Sequence, residues 1–311
     1  MGLDCCGPRP QGIAACGTDA LEWAIKDYTG PWQDAHYSPH KGMTGIWYCR
    51  GLPYEGGMEK AVHEDNALKD LDGVVFTSSW QQFAFCSALE IPFSMGSVIY
   101  DPVQPIIVSG DKYHDDLFRI VYATSPKKGL GLLVASFQHL MEQNELGNAR
   151  LTIMGGNEMY GVAEDPKYAE LIHRCKEDKN IEFLGVVDNS TVRSVMAQAH
   201  CLAFPCVWHD SCSMQVLEAM SAGMVVVAPR HAGITEIAHQ YGILYPWHAE
   251  AAKHASIFAA NLQSVARMFR TDRPSYQALC MAQKQTTDYA HSVNRWAALW
   301  QEYAAFARAR V

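Results

Sequence analysis

The stretch from residue 205 to residue 229, PCVWHDSCSMQVLEAMSAGMVVVAP, constrains the fold more than any other part of this chain. It reads as a strand end, an acid-bearing loop, a helix holding a second acid, a glycine stop and a buried strand. Asp210 precedes the apolar-periodic run Met214, Val216, Leu217 and Met220, where an N-terminal cap is expected, and Gly223 stands where the helix ends. Glu218 then lies about two turns inside the helix. Two acids at this spacing reach different hydroxyls of one long polar ligand, while the exposed N–H groups of Ser213, Met214 and Gln215 face an anion. The stretch is therefore a ligand-binding βαβ joint.

Strands and helices alternate on both sides of that joint from about residue 117 onward. Strands are expected at 119–123, 151–154, 181–184, 201–204 and 225–228. The helices between them fall at 129–144, at 166–178 and, capped by Ser190, up to about residue 199. In the first of these, Leu130, Leu133, Val134, Phe137 and Leu140 share one face. Such spacing demands a parallel sheet with right-handed crossovers, and ligands bind beyond the carboxyl ends of its strands. The pair Gly155-Gly156, which permits close backbone approach, falls at one of those ends.

These residues carry a family resemblance. Asp210-x7-Glu218, followed by Ala219-Met220-Ser221-Ala222-Gly223, resembles the acid-x7-acid signature of retaining glycosyltransferases of family 4 (group 1 type). The resemblance implies an α/β chain of GT-B fold, two Rossmann-like domains facing a cleft. SPKKGLGLLVASF resembles the family's lysine-glycine turn, LTIMGG its next strand, and IEFLGVVDNSTVRSVMAQAHCLAFP the loop that brackets the nucleotide base. It further implies that Lys128, with Lys127 beside it, neutralises a donor diphosphate, and that Gly155, Gly156, Val187, Ser211, Ser213, Met214, Gln215 and Glu218 line the donor site. Val186 and Glu236 match further positions of the pattern. Asp210, Lys128 and Glu218 become the catalytic candidates, by electrostatics and positioning. The chain departs from the family at three places. The first acid is Asp210 rather than Glu, Ser213 replaces a common glycine, and Ala123 stands where an arginine is usual.

Towards the N-terminus, GIAACGTDALEWAI resembles the glycine-rich turn with which relatives open a helix, so Gly17 and Thr18 are candidates on the acceptor or phosphate side. Residues 68–91 resemble the last strand and helix of the first domain, VVFTS being the strand and Trp80 and Gln81 lying on the helix. Only about forty residues separate the two segments, which points to a shortened acceptor-side domain at 1–112 and a nucleotide-sugar-binding domain at 113–311. The stretch 101–116 is the connection, with Asp115 and Asp116 solvated. None of His36, His40 or His63 aligns with a catalytic histidine. Trp296, Leu299, Trp300 and Tyr303 recur at helical spacing in 291–308, which resembles the helix that crosses back onto the first domain.

Composition removes several alternatives. A net charge of −8 and a pI near 5.9 disfavour nucleic-acid binding, which needs a basic face. No run of about 18 apolar residues exists for a membrane span, and MGLDCCGPRP lacks the pattern of a signal peptide. The expectation is a soluble cytoplasmic protein, with peripheral membrane contact through Arg308 and Arg310 as a second use of the last helix. Ten scattered cysteines form no Cys-x2-Cys pair, as suits reduced thiols rather than a disulfide frame or zinc site. The partners implied are a UDP- or GDP-linked sugar and a glycan, glycolipid or protein-linked acceptor, with no cofactor and no metal. The competing readings are a weak or inactive relative that only binds sugar nucleotides, and a GT-B sugar-nucleotide epimerase.

Overall fold

The computed structural model of the chain describes residues 24–28, 45–54, 62–63, 68, 71–156, 163, 165–238 and 241–309. They fall into two compact units. One contains Val103–His209 and Ser213–Ala290, and the other the described residues of 8–102 together with Asp210–Cys212 and His291–Val311.

The second of these units is built on four parallel strands, β1 (Ala24–Tyr28), β2 (Gly45–Cys49), β3 (Gly73–Phe76) and β4 (Gly96–Val98), lying in chain order. Side chains alternate across a strand, and the two faces of β2 and β3 separate accordingly. Trp47, Cys49, Val74 and Phe76 pack with Phe85, Cys86 and Leu89 of α1 (Ser79–Leu89). Ile46, Tyr48 and Val75 pack with Trp296, Trp300, Tyr303, Ala304 and Ala307 of the chain's last helix, α9 (Val293–Arg308). Ser78 caps α1 by accepting from Gln81 N–H at 3.1 Å. Gln81 in turn donates to the carbonyls of Cys49 and Gly51 and accepts from Thr77, tying together the carboxyl ends of β2 and β3. Gly17 and Thr18 lie outside the described residues. Ala24 and Ile25, the last residues of the stretch that resembles the glycine-rich turn, begin β1.

The other unit holds a six-stranded parallel sheet: β5 (Phe118–Ala123), β6 (Ala149–Met154), β7 (Ile181–Gly185), β8 (Cys201–Ala203), β9 (Val225–Arg230) and β10 (Ile243–Pro246). Its helices are α2 (Leu130–Glu142), α3 (Ala169–Glu177), α4 (Asn189–Gln198), α5 (Met214–Ser221), α6 (Ile234–Ile237), α7 (Ala251–Thr271) and α8 (Arg273–Ala290). The strand order is β10-β9-β8-β5-β6-β7. That is the doubly wound Rossmann order, and it reverses between β5 and β8, where the loops part and leave a crevice for a ligand.

The expected elements of this unit form with shifted ends, and three expectations need correction. Asp188, not Ser190, caps α4, accepting from Thr191 N–H at 2.9 Å while the Ser190 hydroxyl itself donates to Asp188. A carboxylate is the stronger acceptor for an orphan N–H. Asp115 is not simply solvated. Arg119 grips it with two donors, and this guanidinium contact draws its carboxyl down to about 2. Finally, residues 103–112 belong to the six-stranded unit rather than to the one before it. The reason is local bonding: Ile106 N–H donates to Ser221 Oγ at 3.1 Å, and the Lys112 ammonium is buried against three carbonyls of this unit.

Candidate functional site

The candidate donor residues of the six-stranded unit gather at the carboxyl edge of its sheet. Lys127 and Lys128 follow β5 on a single 3-10 turn, Pro126–Lys128. Gly155 and Gly156 follow β6, Val187 follows β7, and α5 opens after the loop that leaves β8. Gly129 holds φ at 120°, and a Cβ there would stand 2.2 Å from the Pro205 carbonyl oxygen. The loops leaving β5 and β8 thus touch backbone to backbone at the strand-order reversal, an approach only glycine permits. Gly155 is also glycine for a backbone reason, since a Cβ would meet the Thr124 carbonyl oxygen at 2.7 Å. Its close approach is to the neighbouring strand.

The start of α5 differs from the sequence expectation. The N-cap is Ser213, with φ −84° and ψ 101°, and its side chain makes no capping bond. Asp210 lies three positions earlier, buried, on a segment grouped with the four-stranded unit. It therefore does not cap the helix. On that segment Cys212 faces Asp101, Asp210 and Arg50, and burial pushes its thiol well up. Asp101 is itself buried, accepts from the Tyr48 hydroxyl and pairs with Arg50 at 3.3 Å. At its other end α5 stops as expected, with Gly223 at φ 63° and its N–H bonded to the Met220 carbonyl.

Glu218 sits on α5 facing α4. Arg193 reaches its carboxylate at 3.6 Å, and Asn189 hydrogen-bonds to it. Burial raises the Glu218 pKa, and these two partners oppose the rise. Arg193 also donates to the carbonyls of Gln104 and Pro105 at 2.9 Å each. Neither Asn189 nor Arg193 stood out in the sequence, although their i,i+4 spacing on a helix bordering the site was a usable signal.

The two lysines are not equivalent. Lys127 is exposed and places its ammonium 4.5 Å from the centre of the Trp208 ring, across the strand-order reversal. Lys128 is half-buried on the same turn. Trp208 was not read as a site residue, since an indole in a loop carries no pattern by itself. Gln215 joins the same edge, its side-chain oxygen accepting from Ala123 N–H at 3.2 Å. Val187 is half-buried beside an exposed Val186, and Glu236 lies on the one-turn helix α6.

Known proteins share part of this sequence pattern and the fold. Residues 118–261 match the model of the family described as glycosyl transferases group 1. No curated protein sequence matches the chain. Among solved structures, HepE of Anabaena, determined with UDP and glucose, aligns over 85% of this chain and 72% of its own at 16% identity and a TM-score of 0.65. Sucrose-phosphate synthase of Thermosynechococcus elongatus aligns over 86% and 69% at 15% identity and 0.65. A glycosyltransferase from Rickettsia africae aligns over 85% and 76% at 13% identity and 0.64. The chain has the GT-B fold, and residues 118–261 are similar to the group 1 glycosyl transferases.

Proposed function

We propose that the chain transfers a sugar from a nucleotide-diphosphate donor, a UDP-sugar, to a glycan, glycolipid or protein-linked acceptor with retention of configuration. The observation that carries this reading is the placement of Lys128, on the turn after β5, and of α5, after the loop leaving β8, at the strand-order reversal, with Glu218 on that helix. HepE has been solved with UDP-glucose, which supports uridine as the base. Lys128 and the α5 N–H groups would meet the charge developing on the departing diphosphate. The Glu218 carboxylate would accept from ribose hydroxyls, and Asp210 remains the candidate for sugar hydroxyls. The acceptor oxygen bonds to the anomeric carbon on the face the diphosphate leaves, and its proton passes to a departing phosphate oxygen. The products are the glycosylated acceptor and UDP.

The test is anomeric coupling in the product by proton NMR, with and without a chelator, over a panel of UDP- and GDP-linked sugars. The expected result is a retained configuration, preference for a UDP donor and turnover that persists in chelator. An inverted product, or activity abolished by chelation and restored by magnesium or manganese, overturns the scheme. Nucleotide-sugar binding with neither transfer nor hydrolysis identifies a non-catalytic relative instead.

A further inference from the structure

The first turn of α5 carries a buried donor that the described residues leave unmatched. Gln215 is only 6% exposed, and its side-chain oxygen accepts from the N–H of Ala123, the last residue of β5. That bond fixes which way the amide is turned. The Ala123 N–H needs an acceptor, so the oxygen faces the strand and Nε2 faces away from it. Nε2 is buried and meets no acceptor among the described residues. A desolvated N–H without a partner costs free energy, and a fold that keeps one usually has a ligand or water complete it.

The position selects the kind of ligand. Gln215 lies in the opening turn of an eight-residue helix, where backbone N–H groups have no partner within the helix. Ser213 adds no side-chain cap there, so no oxygen of its own competes for them. The amide is anchored to β5, one of the two strands flanking the strand-order reversal. Aligned N–H groups at such a point attract an anion rather than a neutral or cationic group. A side-chain N–H2 beside them adds direction to that field without adding charge.

We propose that the Gln215 side chain is a phosphate-binding group, its amide oriented by Ala123 N–H so that Nε2 donates to a diphosphate oxygen of a nucleotide sugar at the N-terminus of α5. The inference rests on the reading of the chain as a nucleotide-sugar transferase and assigns one bond within that site. Gln215→Glu isolates the bond, because it keeps an oxygen for Ala123 N–H and turns the donor into a carboxylate oxygen facing phosphate.

Calorimetric titration of wild type, Gln215→Glu and Gln215→Met with UDP and with uridine tests it. Gln215→Glu should lose about tenfold or more in UDP affinity, with uridine held within about twofold. Unchanged UDP affinity overturns the inference. Equal losses for UDP and uridine also overturn it, because they mark a purely structural role. If Gln215→Glu does not fold, Gln215→Met carries the test, since it conserves volume and adds no charge, and it must show the same bias against UDP. A wild type that binds no nucleoside diphosphate sinks the transferase reading and this inference together. A wild type that binds UDP no better than the folded variant sinks this inference alone.

Discussion

Glu218 is held by opposing influences: burial favours the neutral acid, while the Arg193 guanidinium at 3.6 Å and the Asn189 side chain favour the carboxylate. A carboxylate has about four acceptor positions, so these two partners leave room for ribose hydroxyls. If that is its use, Glu218→Gln should erase the discrimination between UDP and its 2′-deoxy analogue. Titration of wild type should show UDP binding about ten- to a hundredfold tighter than the analogue, as a charge-assisted bond provides, and the variant a ratio near one. The same ratio in both proteins would remove Glu218 from the ribose. Glu218 and Gly223 were legible because helical spacing alone fixes their places. The cap was not. Asp, Ser, Cys and Ser in succession at 210–213 each could precede a helix, and only the path of the loop makes Ser213 the boundary. Gln215 was legible as a backbone donor, whereas the use of its side chain depends on Ala123, a contact with three strands between its two ends in the chain.

Helix α5 is held from behind as well as presented in front. The buried Lys112 ammonium donates to the carbonyls of Ala222 and Gly223 at the end of α5, and of Ala199 at the end of α4, at 2.9, 2.8 and 2.9 Å. Lys284 donates to the Ser221 carbonyl, and the Ser221 hydroxyl donates to Asp288 at 2.6 Å. Cations at helix C-termini complement the dipole, and here they satisfy the last carbonyls too. Lys112→Met should therefore cost about 2–4 kcal/mol, read by denaturant unfolding near pH 7, because three buried acceptors lose their donor. Burial lowers the Lys112 pKa to about 8, with neighbouring Lys284 adding to the depression and Cys280 opposing it. The unfolded chain then binds more protons than the folded one between about pH 8 and the ordinary lysine value. Across that window this group's contribution to stability rises with pH, and the gap between wild type and Lys112→Met should widen by about 1–3 kcal/mol. A gap constant from pH 7.5 to 10 would show that the carbonyls hold the ammonium at its ordinary value. Legibility at this scale followed burial. Strands β5 and β9 are near-continuous apolar runs, and their helices keep a clear period. Strands β1 and β4 carry no clear sequence pattern, because AIKDY mixes charge into five residues and GSV offers three half-buried ones.

The division of the whole chain follows from which surfaces need covering. Both faces of the four-stranded sheet are apolar, and α1 covers only one, so the other requires a helix from elsewhere in the chain. Helix α9 supplies it. Tyr48 meets Trp300 edge to face at 5.3 Å, and the Tyr303 hydroxyl accepts from Val74 N–H at 3.0 Å, with the Met95 carbonyl 2.9 Å away. Gly73 has no side chain because a Cβ there would stand 2.2 Å from that hydroxyl. The aromatic spacing of α9 was plain in the sequence. Of its partner strands, β3 was legible in VVFTS, whereas GIWYC of β2 carries no pattern of its own, its side chains alternating between two apolar faces. Trp300→Ala should cost about 3–5 kcal/mol of cavity and lost transfer energy, and Tyr303→Phe about 1–3 kcal/mol for the acceptor removed from Val74. The distribution of the loss is the sharper test. Amide hydrogen exchange should speed up in residues 45–49, 73–76 and 96–98 of both variants while 118–123, 149–154 and 225–230 keep their protection, because local stability follows the unit whose core is cut. Uniform loss across both sheets would mean that the chain opens as one cooperative body, and the two-unit description of its energetics would have to be given up.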